Sequence, residues 1–188
     1  MKNVETERKF LVRDNSYKSQ AVKSFRIKQG YIAHDGGNTV RVRIRDNQGF
    51  LTIKGPSYDG ISRFEWEREI SLEDAEALCT LCRGGFIDKI RYIVPAETSK
   101  NANESAGEDF CFAKKKADAS QKSSPAGSSR YFEVDEFFGD NEGLVMAEIE
   151  LEKPDEPFDR PAWLGEEVTG DRRYYNSHLL QYPFKNWK

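Results

Sequence analysis

Period-two polarity recurs in short segments along this chain and restricts the fold more than any other feature. Residues 4–12 place Glu5, Glu7 and Lys9 on one phase, and residues 40–44 set Arg41 and Arg43, continuing to Arg45, against Val40, Val42 and Ile44. Residues 64–70 set Glu65, Glu67 and Glu69 against Phe64, Trp66 and Ile70. The same rhythm carries Arg26 and Lys28 in 25–32, Lys54 in 50–54, Lys89 and Arg91 in 89–93, Glu133 and Asp135 in 131–137, and Glu148 and Glu150 in 146–152. Successive side chains of a strand point to opposite faces, so each segment reads as a β-strand. Asp35-Gly36-Gly37-Asn38, Asp46-Asn47-Gln48-Gly49 and Tyr58-Asp59-Gly60 fall between strands as turns, and short strands joined by tight turns predict an antiparallel meander.

On any one strand, charge alternating with Val and Ile describes an ordinary half-buried sheet. The set is different, because the charges segregate by strand. Arg41 with Arg43 and Lys89 with Arg91 are basic pairs; Glu65 with Glu67, Glu133 with Asp135, and Glu148 with Glu150 are acidic pairs. Residues i and i+2 on one strand face lie roughly 7 Å apart, and like charges that close repel unless a cation or a proton compensates. About eight such strands can close into a barrel with an interior. The predicted fold is therefore mainly β, a closed antiparallel eight-stranded barrel with its charged faces inward. Its apolar faces turn outward beneath a few helices. Arg and Lys in such an interior suit a polyphosphate, and carboxylate clusters suit Mg²⁺ or Mn²⁺.

Helical signals are few. Ser71-Leu72-Glu73-Asp74 resembles a capping box, Leu72, Ala75, Leu78, Cys79 and Cys82 follow at helical spacing, and Gly84-Gly85 ends the segment. Further short helices are expected near Asp155 and from Tyr174 to Leu180. Residues 97–129, rich in Ser, Ala, Lys and Asn, read as a surface loop inserted into a single domain spanning 1–188, with Lys114-Lys115-Lys116 as a solvated run.

Charged residues make up 32% of the 188, yet the net charge is only −3, which argues against a general nucleic-acid partner. The start of the chain holds no apolar run suited to a signal peptide or membrane span. The three cysteines, Cys79, Cys82 and Cys111, suit a reducing cytoplasm better than a disulfide framework. Cys79-x-x-Cys82 lacks the partner pair of a zinc ribbon and reads as helix packing. His34 and His178 lack metal-ligand spacing and read as surface residues. Trp66 and Trp163 read as outer packing, and Tyr31 as either a shell or a lumen-mouth residue.

Glu5-Thr6-Glu7-Arg8-Lys9 resembles the Glu-x-Glu-x-Lys signature of the CYTH superfamily, the triphosphate tunnel metalloenzymes. Gln29-Gly30-Tyr31, Arg41-x-Arg43, Lys54, Glu65-x-Glu67, Lys89-x-Arg91, Glu133-x-Asp135 and Glu148-x-Glu150 follow in order, and Trp163, Glu167, Asp171, Arg173 and Tyr174 close the series. The resemblance implies Glu5, Glu7, Glu148 and Glu150 as metal ligands with Asp135 beside them, and Glu65, Glu67 and Glu133 as second-metal or water-positioning acids. It implies Lys9, Arg41, Arg43, Lys54, Lys89 and Arg91 as a phosphate clamp, with Lys89 also near the chemistry and Lys28 and Arg173 near the same lumen. It further implies two Mg²⁺ or Mn²⁺ ions, hydrolysis of inorganic tripolyphosphate or an organic triphosphate, and a monomer or homodimer in the cytoplasm. The alternatives are a class IV-like adenylyl cyclase, in which the ribose 3′-hydroxyl replaces water, and a non-catalytic polyphosphate binder. The 97–129 insertion departs from short family members and bears on substrate choice.

Overall fold

The structure is a computed structural model that describes residues 4–57, 59, 61–96 and 130–187. The strands are β1 (Val4–Val12), β2 (Lys23–Asp35), β3 (Asn38–Arg45), β4 (Gln48–Ser57), β5 (Ser62–Ile70), β6 (Ile87–Ala96), β7 (Arg130–Phe137), β8 (Val145–Glu150) and β9 (Leu164–Glu167). Their order is β5-β4-β3-β2-β6-β7-β8-β1-β9, and a further β5–β1 pairing closes the first eight into an antiparallel barrel. The short β9 extends from the far half of β1, with Phe10 opposite Glu167 and Val12 opposite Leu164. The predicted insertion at 97–129 lies outside the described residues.

Register decides which side chains share the interior. Arg41 lies opposite Tyr31 on β2 and Thr52 on β4, and Thr52 lies opposite Glu67 on β5. Arg91 lies opposite Asp135, Glu133 opposite Glu148, and Glu148 opposite Lys9. The inward phase of β1 and β3 through β8 is thus the charged phase seen in the sequence. β2 is the exception. Its register sets Ile27 beside Arg45 and Lys89, so Phe25, Ile27, Gln29 and Tyr31 face inward. Arg26 and Lys28 turn outward, where Arg26 pairs with Asp88 and Lys28 sits over the Phe86 ring at 4.3 Å. The expectation that every apolar face turns outward fails on this strand.

The apolar phase of β1, β7 and β8 supplies one core outside the barrel: Phe10, Phe132, Val134, Ala147 and Ile149 pack with Trp163 and with Tyr17 of the four-residue helix α1 (Tyr17–Gln20). A second core closes one end of the barrel. There the inward-phase residues Ile87, Phe137 and Met146 meet Tyr174 and Leu179, the latter on α3 (Asn176–Gln181). Elsewhere, α2 (Leu72–Cys79) covers β3 and β4. Ser71 caps it by accepting a hydrogen bond from the Asp74 N–H at 3.0 Å, and regular helix ends at Cys79 rather than reaching Cys82. Gly49 makes the close approach possible, since a Cβ there would lie 2.6 Å from the Ala75 Cβ and 2.8 Å from the Ser71 carbonyl.

No helix forms near Asp155; residues 152–155 bend and turn, and residues 156–161 are irregular. Pro154, Pro157 and Pro161 remove N–H donors and push their preceding residues toward extended backbone. Glu156 instead accepts a hydrogen bond from the Glu152 N–H at 2.7 Å and pairs with Arg130. Among the described residues no helix is long and apolar enough to cross a membrane.

Candidate active site

The inward charges line one cavity of about 620 Å³. Glu5, Glu7 and Lys9 reach it from β1, Arg41 and Arg43 from β3, Lys54 from β4, Glu65 and Glu67 from β5, Arg91 from β6, Glu133 from β7, and Glu148 and Glu150 from β8. Lys89 and Asp135 sit beneath this lining, 1% and 0% exposed. The structure does not bring Lys28 or Arg173 to the cavity. Lys28 is outside the barrel. Arg173 is exposed and pairs with Asp171 at 2.6 Å, two residues away in the chain, so its spacing served a local turn.

Three ion-pair groups organise the wall. In the first, Asp135 accepts from Lys89 at 2.6 Å and from both ends of the Arg91 guanidinium at 2.7 and 2.6 Å. Arg91 also donates to Glu148 at 3.1 Å and pairs with Glu133, and Lys89 donates to the Asn176 Oδ1 at 3.3 Å. In the second, Lys9 pairs with Glu148 and, at 3.0 Å, with Glu7, while Arg63 reaches Glu7 at 2.8 Å and Glu5 at 3.4 Å. Lys54 extends this group to Glu5 at 2.8 Å and Glu65 at 3.0 Å. In the third, Glu67 accepts from Arg43 at 2.7 Å, Arg41 at 3.3 Å and the Thr52 hydroxyl at 2.7 Å.

These surroundings set the protonation states. Burial pulls the Lys89 ammonium down to about 8, against the attraction of Asp135 and with the repulsion of Arg91. Lys9 goes the other way: burial opposes its charge, but Glu148 and Glu7 outweigh it and raise its pKa. Burial works to raise Glu65, yet a hydrogen bond with Glu5 and the charges of Lys54 and Arg41 hold it down to about 2. Glu148 lies well below the ordinary carboxylate value despite burial, because Lys9, Arg91 and Lys89 surround it. Lys9, Lys89, Glu65 and Glu148 are therefore charged at neutral pH.

Two features show what the wall can accept. The Nε–H groups of Arg41 and Arg43 are buried with no acceptor among the described residues, a standing demand for an anion. The register also sets Glu7 directly opposite Glu150 and Glu133 directly opposite Glu148. Like charges directly across a sheet repel, so these carboxylates form an oxygen-rich face suited to a hard divalent cation. The oxygens of Glu7, Glu133 and Glu148 are turned toward Lys and Arg, and among the described residues no three acidic groups converge into a ready cage.

Sequence reasoning passed over Arg63, Thr52 and Asn176, and named Gln29 within a motif without giving it a role. Arg63 shares the phase of Glu65 and Glu67, and the signal was available had the strand been started at Ser62. Gln29 is fully buried and donates to the Tyr31 hydroxyl at 3.3 Å. Tyr31 itself faces the lumen.

A closed eight-stranded antiparallel barrel whose lumen holds Lys and Arg against Glu and Asp is the architecture of a polyanion-binding tunnel domain. The CYTH domain family matches residues 3–175, and this chain belongs to that family. It is 42% identical over 185 residues to an inorganic triphosphatase of Acetivibrio thermocellus, covering 98% of this chain and 97% of that protein. It is 29% identical over 178 residues to an inorganic triphosphatase of Nitrosomonas europaea, covering 93% and 95%. The crystal structure of the inorganic triphosphatase NE1496 superposes with a TM-score of 0.56 at 26% identity, covering 94% of this chain and 93% of that one.

Proposed function

We propose that this chain hydrolyses inorganic tripolyphosphate in a divalent-cation-dependent reaction. The observation that carries the reading is the convergence of Lys9, Arg41, Arg43, Lys54, Arg63 and Arg91, from five strands, on one cavity. A single phosphoryl group, with three outer oxygens, could engage few of them. A linear triphosphate offers enough oxygens to satisfy the set. The resemblance of near full length to two inorganic triphosphatases supports the same substrate class.

Glu5, Glu7, Glu148 and Glu150, with Glu133 across from Glu148, are the residues suited to hold Mg²⁺ or Mn²⁺. When bound, such an ion neutralises phosphate oxygens and acidifies coordinated water. Asp135 has a different part, since both its oxygens are taken by Lys89 and Arg91. It fixes the Arg91 guanidinium toward the lumen, and Lys89 is tied to the same carboxylate and to Asn176. Glu67 does likewise for Arg41 and Arg43. Glu133 is the most exposed of the paired lumen acids, its side chain 38% accessible, and it is the carboxylate best placed to take a proton from water. Attack of that water on a terminal phosphorus breaks the bridging P–O bond, and the products are phosphate and pyrophosphate. The clamp stabilises charge on the departing pyrophosphate oxygens, and such preorganised positioning is the main source of rate in phosphoryl transfer. The free thiols Cys79 and Cys82 support a reducing compartment such as the cytoplasm.

The test is phosphate release from tripolyphosphate, ATP, thiamine triphosphate and p-nitrophenyl phosphate, with and without Mg²⁺ or Mn²⁺, alongside a cyclic-AMP assay. Tripolyphosphate is expected to be turned over only with the metal, and to lead in kcat/KM. Glu148→Gln is expected to abolish this turnover in a folded protein. Metal-independent turnover, or cyclic AMP as the main product from ATP, would overturn the assignment.

A further inference from the structure

The lumen cations are not equivalent. Lys9, Arg41, Arg43, Lys54, Arg63 and Arg91 each touch a carboxylate. Arg45 lines the same cavity, but among the described residues it has no carboxylate partner. It donates to the Gln48 Oε1 at 3.0 Å and is otherwise held by aromatic rings. Its guanidinium carbon lies 5.1 Å from the Phe25 ring centre and 4.6 Å from that of Phe50. The same two rings carry the neighbouring cations: Lys23 lies 5.0 Å from Phe25, and Arg43 lies 5.3 Å from Phe50. Cation and ring thus alternate from exposed Lys23, through Phe25, Arg45 and Phe50, to Arg43 in the wall.

We propose that Arg45 is the docking residue at which an incoming polyphosphate first engages the cavity. The inference rests on the hydrolytic reading for its substrate and adds a residue that the reading does not use. Three facts carry it. Arg45 ends β3, beside the Asp46-Asn47 turn, at the rim rather than the floor. Phosphate can meet it without first breaking an ion pair, unlike the six cations of the wall named above or Arg130, which also lines the cavity and pairs with Glu156. The two rings lie 5.1 and 4.6 Å from the guanidinium carbon, and aromatic contacts of this kind hold the cation without using up its N–H donors, which stay available to phosphate oxygens. Arg43 stands two residues further in on the same strand face, roughly 7 Å away, so a chain captured at Arg45 has its next cation in line. The arrangement explains why β2 turns Phe25 inward, against the charged phase of the other strands: the ring positions a cation.

The experiment is steady-state kinetics on tripolyphosphate across ionic strength for the wild type, Arg45→Gln, Arg45→Lys and Phe25→Leu. A charge that steers an anion into a cleft acts on capture and is screened by salt. Arg45→Gln is expected to lower kcat/KM by about tenfold at low salt through KM, with kcat moving far less, and to flatten the salt dependence. Arg45→Lys should recover most of the loss, because it keeps the charge. Phe25→Leu should raise KM in the same direction while leaving the charge in place. A fall in kcat at unchanged KM, or wild-type kcat/KM and salt slope in Arg45→Gln, would overturn the proposal. Calorimetric binding of tripolyphosphate without divalent metal separates it from the hydrolytic reading. Weaker binding by Arg45→Gln in an enzyme that turns nothing over sustains the docking role and removes the hydrolytic one; equal binding by the two proteins removes the docking role.

Discussion

Asp135→Asn is a nearly isosteric change, so it tests charge at the floor of the lumen without opening a cavity. Asp135 is 0% exposed and accepts three hydrogen bonds, one from Lys89 and two from Arg91. Its loss leaves Lys89, itself 1% exposed, beside Arg91 with no anion of its own. Removing one partner of a buried ion pair costs about 3–5 kcal/mol. For a chain of this length each kcal/mol moves Tm by about 2–4 °C, so the expected fall is about 6–20 °C. The pH dependence has a definite sign. Lys89 is already drawn down to about 8 by burial and Arg91, against Asp135. Without Asp135 its folded pKa drops further below the unfolded value. The unfolded state then binds more protons over a wider range, and stability rises with pH wherever that holds. The variant starts this rise at lower pH than the wild type, so the gap between them should be larger at pH 7 than at pH 9. Scanning calorimetry at the two pH values measures both quantities. A Tm change under about 2 °C, less than a single kcal/mol for a chain of this size, or a gap equal at both pH values, would refute the reasoning that Asp135 compensates two buried cations.

Other perturbations probe other parts of the barrel. Arg41→Ala should narrow the preference for tripolyphosphate over p-nitrophenyl phosphate, read as the ratio of their kcat/KM values, since it removes a cation only the longer substrate reaches. Gly49→Ala should destabilise by about 1–3 kcal/mol through overpacking, visible as a lower urea midpoint, because the added Cβ would meet Ala75 and the Ser71 carbonyl. Acid should unfold the protein through its lumen. Glu65, Glu67, Asp135 and Glu148 all have folded pKa values below their ordinary ones, so their contribution is complete above the unfolded values near 4–4.5. It is lost as pH falls through the folded values, with Glu65 reaching about 2. Urea midpoints that stay level from pH 5 to pH 2.5 would contradict this.

The barrel was legible because period-two charge survives in almost every strand, and seven of the eight barrel strands obey one rule. Periodicity states which residues share a face, but it does not state which face is inside. That information lies in register, and β2 shows the difference: Arg26 and Lys28 are as regular as Arg41 and Arg43, yet they face outward. Phase alone marked the charged residues that share the lumen; their roles as clamp and metal ligands came from the resemblance. Their pairing was not, because Lys9 meets Glu148 and Lys54 meets Glu5 across stretches of chain that carry no local signal. Arg63 was lost to a strand start placed two residues late. The helix expected near Asp155 failed on three prolines, whereas α2 was marked by its cap. The short α1 left no periodic trace, since four residues barely complete one turn.

The ion pairs of the lumen have a thermodynamic consequence. Each clamp cation is occupied by a carboxylate, so a polyanion that enters must trade places with those carboxylates. Every acid displaced in this way loses its counter-charge and becomes available to a cation. The two ligands are therefore expected to assist each other: the triphosphate strengthens the site for the metal, and by linkage the metal strengthens the site for the triphosphate by the same factor. Measured apart, each should bind weakly; measured together, the lumen should fill as a unit.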